Sequence, residues 1–152
     1  MPPESIPFSP RLRNTFHVVF GLLFLSGAAW WALHRWGQVG GEFGPRPHPL
    51  EPWLIRLHGG TAMAVLVLLG LLLPVHVRRA WLVARNRVSG SVMLVLCLLL
   101  ALSGWALYYA GGEATRAAAG RVHVVIGLTL PVFLLAHIAF GRRSRPPDDT
   151  SV

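Results

Sequence analysis

The sequence predicts an all-α membrane protein: an up-down bundle of four transmembrane helices with both termini in the cytoplasm. Three observations carry that expectation. The first is four apolar runs, residues 17–33, 54–77, 88–110 and 122–140, in a 152-residue chain that is 53% hydrophobic and only 13% charged. Each run is about as long as a helix needs to cross ~30 Å of hydrocarbon at ~1.5 Å per residue. The second is the placement of the fourteen basic side chains, all arginine. Nine fall in the N-terminal tail, the second connection and the C-terminal tail (Arg11, Arg13, Arg78, Arg79, Arg85, Arg87, Arg142, Arg143, Arg145). Five fall in or beside the first and third connections (Arg35, Arg46, Arg56, Arg116, Arg121), together with Glu42, Glu51 and Glu113. The positive-inside bias then puts both termini in the cytoplasm. The third is that the later connections are short, which makes consecutive helices antiparallel neighbours.

The elements follow in order. Residues 1–10 and 144–152 are proline-rich or polar tails, expected to be flexible and to flank one transmembrane domain that takes up the chain. The first span follows sixteen mostly polar or proline-rich residues, and no small-x-small site precedes Trp30 and Trp31, so it reads as a span and not as a cleaved leader. The first connection, WGQVGGEFGPRPHPLEPW, is the longest and reads equally as a docking surface or a linker. Trp36, Trp53, Trp81, Tyr108 and Tyr109 sit near span ends, where aromatic belts form. Cys97 is the single cysteine and lies mid-span, so no intrachain disulfide and no CxxCH haem attachment exists in this sequence. The net charge of +8 is a topology signal and does not mark nucleic-acid binding. No internal repeat is evident.

The histidines raise the functional question. Of seven, His34 and His48 lie at or beyond the end of the first span and read as ordinary exposed or interfacial residues. His17, His58, His76, His123 and His137 lie at or just inside span ends, where a polar ring is costly unless it has a task. Depth sorts them. His58 follows Arg56 by two residues and His123 follows Arg121 by two, on spans running in the same direction. His17 lies four residues past Arg13 and His137 five before Arg142, which matches them near the inner face; His76, two before Arg78, is shallower. On the fourth span His123 and His137 are fourteen residues apart. That is ~21 Å of rise with the two rings within ~40° of one face. Two imidazoles at each of two levels suit six-coordinate haem b, whereas zinc more often gathers four ligands into one cluster.

Steric room points the same way. Position i+4 shares the face of the ligand, and it is Gly21 after His17, Gly127 after His123, Gly141 after His137, Ala62 after His58 and Ala80 after His76. Small residues also serve ordinary helix packing in membranes. Pro74 and Pro131 leave the carbonyls of Gly70 and Gly127 without helical donors, which reads either as a cavity-opening kink or as tolerated membrane proline. Ser26, Ser103 and Thr129 are expected to bond their own backbone rather than to orient other groups.

These residues resemble the small di-haem cytochrome b membrane subunits typified by the gamma subunit of membrane-bound formate dehydrogenase, and cytochrome b561-type proteins. RLHGGTAMAVLVLLGLLLPVHVRRAW and RNRVSGSVMLVLCLLLALSGWALYY also look like bacterial four-helix membrane proteins with a cytochrome b-like histidine pattern. The resemblance spans residues 11–143. It implies two bis-histidine haems b, one held by His17 and His137 and the other by His58 and His123. It also implies a multi-pass protein of the bacterial inner membrane. His76 departs from the formate dehydrogenase pattern: it replaces His17, contacts a propionate or lines a quinone pocket. Arg56, Arg121 and Arg78 are placed to pair with propionates, or equally to serve topology and lipid headgroups.

With both axial positions filled by protein, electron transfer is the natural task. The expectation is a di-haem protein moving electrons between the quinone pool and an external, periplasmic or membrane, redox partner, with membrane lipid around it and no nucleic acid. It would have no catalytic residues of its own and would be the cytochrome b subunit of an oxidoreductase. The alternatives are a self-sufficient b561-type oxidoreductase, such as a superoxide oxidase or ferric reductase, and a non-haem structural or assembly subunit.

Overall fold

The computed structural model describes residues 10–82 and 86–143. Residues 1–9, 83–85 and 144–152 lie outside the described residues, and with them Arg85 and, apart from Pro10, the tails expected to be flexible. The described residues form helices α1 (Pro10–Trp36), α2 (Glu51–Leu72), a π-helical turn (Leu73–Val77), α3 (Arg78–Leu82), α4 (Arg87–Tyr109) and α5 (Glu113–Arg143). α1, α2, α4 and α5 are long and apolar enough to cross a membrane. The chain divides into two compact units between Val75 and His76, inside the π-helical turn.

Burial is inverted relative to a water-soluble core. The buried described residues are Ser26, Glu51, Val65, Ser103 and Leu130, three of them polar. Large apolar side chains such as Leu25, Met63, Val67, Leu98, Val125 and Leu135 face outward. Where lipid is the solvent, apolar surface gains nothing by hiding, and helices associate through small residues and hydrogen bonds instead.

In the first unit α1 packs on α2. His34 meets Glu51 near the C-terminal end of α1 while Ser26 meets His58 about two turns further in, so the two helices run antiparallel. The first connection is more ordered than a plain linker. Val39 and Arg46 exchange both backbone hydrogen bonds at 3.0 Å, and Gly44 turns the chain at φ +114°, a conformation reserved for glycine. Buried Glu51 closes it, accepting from the His48 backbone N–H at 3.1 Å and pairing with His34 Nδ1 at 2.9 Å. His34 also stacks on Trp30, with ring centroids 4.8 Å apart. α2 does not reach Val77 as a regular helix. Pro74 cannot donate its backbone nitrogen, and the last turn widens into the π-helical turn that carries His76.

In the second unit α4 packs on α5. Asn86 precedes α4 in the left-handed region at φ 50°, which asparagine tolerates better than most residues. α5 begins at Glu113, nine residues before the apolar run, because the alanine-rich stretch EATRAAAGR favours helix and Glu113 lies in its first turn. Pro131 is accommodated within the continuous helix.

Candidate functional site

Three of the five histidines singled out by depth are half-buried, and each is seated in the same way. His58 on α2 presents Nδ1 to the Leu23 carbonyl at 3.0 Å and to Ser26 Oγ at 3.5 Å, both on α1. His123 on α5 presents Nδ1 to Ser103 Oγ of α4 at 3.0 Å, and His137 presents Nδ1 to Ser89 Oγ of α4, also at 3.0 Å. Each serine hydroxyl lies within hydrogen-bond reach of the carbonyl three residues back: Ser26 to Leu23 at 3.0 Å, Ser103 to Leu100 at 3.2 Å, Ser89 to Asn86 at 3.3 Å. Ser26 and Ser103 therefore bond their own backbone, as expected, and also touch a histidine.

A glycine follows each of these serines, and the three Ser-Gly dipeptides of the sequence are Ser26-Gly27, Ser89-Gly90 and Ser103-Gly104. A Cβ on Gly27 would lie 2.6 Å from His58 Cε1 and 2.8 Å from its Nδ1. On Gly104 it would lie 3.3 Å from His123 Cε1, and on Gly90 3.8 Å from His137 Cε1. The serine supplies a hydroxyl to one ring nitrogen while the neighbouring glycine leaves room for the ring. The glycines four residues beyond the histidines do not do this: Gly127 lies against Leu100, Gly141 against Asn86, and Gly21 has open space.

α4 and α5 thus carry a ladder. Ser89 and Ser103 are fourteen residues apart, as are His137 and His123, and the antiparallel register brings each serine to its histidine. Both imidazoles of α5 accordingly lie on the side of that helix that meets α4. The first unit repeats the Ser103–His123 rung: a Ser-Gly dipeptide on the first helix seats the histidine of an Arg-x-His triplet on the second. That triplet is Arg56-Leu57-His58 in the first unit and Arg121-Val122-His123 in the second. A repeat invisible in the apolar filler is therefore present in these few residues.

The remaining residues are placed as follows. His17 is exposed on α1, nine residues before Ser26, in edge contact with the Phe16 ring at 6.3 Å. His76 is exposed in the π-helical turn, its ring centroid 6.2 Å from that of His137 at an interplanar angle of 81°. The expected pairs, His17 with His137 and His58 with His123, each draw one imidazole from each unit. Arg56 is exposed and lies over the Trp53 ring at 5.2 Å; Arg121 is exposed on α5. Among the described residues no three His, Cys, Asp or Glu side chains gather as a metal-binding group, so the donors available come in ones and twos.

His137 also lines an open groove of about 700 Å³ on the second unit, together with Ser89, Val92, Met93, Phe133 and Phe140. Arg87 and Arg143 border the same groove. Arg87 donates to the Trp81 carbonyl at 2.6 and 3.1 Å. The lining is largely apolar, with Asn86, Ser89, one imidazole and two guanidinium groups among it. The sequence reading missed Ser89, Arg87 and Arg143 as site residues. The recurrent Ser-Gly pair, set fourteen residues apart like the histidines, was the available signal. Compared with protein-family models, curated proteins and solved structures, the chain matches none.

Proposed function

We propose that the chain is a di-haem b electron-transfer protein, multi-pass in a bacterial inner membrane with both termini cytoplasmic. It exchanges electrons between membrane quinone and an external redox partner. The observation that carries this reading is the ladder on α5: two half-buried imidazoles fourteen residues, ~21 Å, apart, each gripped by one ring nitrogen on α4. A histidine kept only for solubility or interfacial anchoring has no need of a seat within the hairpin. One gripped at Nδ1 is held in the way that metal-ligating histidines are held by the group that accepts their other ring N–H.

A haem b held by two histidines would supply one-electron, outer-sphere transfer. The chain's own residues do the rest. On the resemblance, His58 with His123 would hold one haem, and His137 would hold the other. His17 is its partner by depth and by resemblance, and His76 competes for that role. Val92, Met93, Phe133 and Phe140 give the inner site apolar walls. Arg87 and Arg143 border the same groove, and Arg56 and Arg121 stand two residues before His58 and His123 in the sequence, so these guanidinium groups would be the candidates for charge-assisted bonds to propionates. The π-helical turn at Leu73–Val77 is of the kind often found at functional sites.

The test is a dithionite-reduced minus oxidised spectrum with pyridine haemochrome quantification on protein expressed with ample haem and purified in mild detergent. A b-type α-band with about two haems per chain supports the reading. Colourless protein under those conditions overturns it and returns the histidines to a structural role.

A further inference from the structure

We infer that Ser26, Ser89 and Ser103 are positioning residues: they and the backbone carbonyls behind them hold the proton of His58, His137 and His123 on Nδ1, so that Nε2 is the nitrogen each ring offers to iron. This rests on the haem reading. The argument begins with His58. A carbonyl oxygen only accepts, so the 3.0 Å contact of Nδ1 with Leu23 requires an N–H there. A neutral imidazole protonated at Nδ1 carries its lone pair at Nε2.

The other two rings reach the same state through a hydroxyl. A serine has one proton to give, and on our assignment Ser103 and Ser89 give it to the carbonyls of Leu100 and Asn86, which lie 3.2 and 3.3 Å from their oxygens. Their oxygens then accept from His123 and His137 at 3.0 Å, forming a chain from ring N–H to hydroxyl to carbonyl. Donation from Nδ1–H fixes the ring plane and raises the basicity of the ligating nitrogen. A more basic axial ligand favours ferric over ferrous iron and lowers the potential. The three seats are graded. His58 leans on a carbonyl that no side-chain substitution removes, whereas His123 and His137 depend on the hydroxyl.

Two measurements on the full chain in detergent test this. In haem-free protein labelled with 15N-histidine, long-range 1H–15N spectra read the tautomer of each ring, and all three are expected as Nδ1–H. In protein loaded with haem b, redox titration of the α-band is expected to show one midpoint moved upward in Ser103→Ala and the other in Ser89→Ala. Ser26→Ala should give a smaller shift in the same midpoint as Ser103→Ala. Nε2–H rings in the haem-free chain, or unchanged midpoints in both Ser103→Ala and Ser89→Ala, overturn the inference. If a serine variant fails to fold, the tautomers of the unsubstituted chain still decide. A wild-type chain that takes up no haem overturns the cofactor reading and, with it, the ligand role of Nε2, even with Nδ1–H rings.

Discussion

Replacing Gly27 by alanine tests the seat of His58 by adding one carbon where the structure leaves no room. The new Cβ would stand 2.6 Å from His58 Cε1. Carbon atoms rest at about 3.5–4.0 Å, so the ring must retreat by about 1 Å. Its Nδ1 contact with the Leu23 carbonyl is 3.0 Å and would open to about 4 Å, beyond hydrogen-bonding reach. Losing that bond costs about 0.5–1.5 kcal/mol and overpacking about 1–3 kcal/mol, while alanine returns about 1 kcal/mol in helix propensity. The net expectation is a destabilisation of about 2 kcal/mol, with the ring displaced from its seat on the Leu23 carbonyl. Gly104→Ala needs only a few tenths of an ångström of adjustment, and Gly90→Ala meets His137 at ordinary contact distance. Thermal unfolding and haem retention of the three variants should therefore rank Gly27→Ala worst, Gly104→Ala intermediate and Gly90→Ala near wild type. Equal behaviour of all three, or Gly90→Ala as the most damaged, would refute the claim that these glycines seat the imidazoles.

Further outcomes follow from the same geometry. His123→Ala and His137→Ala should each lose one haem of two, and losing both from either would merge the two levels into one site. The proposed haem-ligand partner of His137 is tested by comparing His17→Ala with His76→Ala. Depth and resemblance expect His17→Ala to lose the inner haem, and its loss only in His76→Ala would transfer the ligand role to the π-helical turn. Glu51→Ala removes the acceptor shared by His34 and the His48 backbone, so proteinase K should cut the connection at residues 37–50 faster while haem content is unchanged. Equal cleavage rates would mean that the Val39–Arg46 bridge holds the connection without the clamp. Reporter fusions at the two ends should both read cytoplasmic, and a periplasmic reading at either end would undo the arginine argument.

Much of this is legible in the sequence. Twenty-residue apolar runs must be helices where only internal hydrogen bonding satisfies the backbone, which is why four spans emerge from the sequence. Their ends are less legible: α5 starts at Glu113 because helix propensity, and not hydropathy, decides outside the apolar run. Two histidines fourteen residues apart must share a face of one helix, since that follows from 3.6 residues per turn. Their partners do not follow in this way. Glycine was sought on the histidine's own helix, where spacing can be counted, and was found on the neighbouring helix.

The sequence by itself therefore determined the number of spans, the arginine asymmetry and the two levels of imidazole on the last helix, because each is a property of one segment and its solvent. Tertiary structure alone decided that Ser103-Gly104 meets His123, that Ser89-Gly90 meets His137 and that Ser26-Gly27 meets His58. A hydroxyl and a missing Cβ acquire meaning only when antiparallel register brings a ring against them. That register is a property of two packed helices, and neither carries it alone.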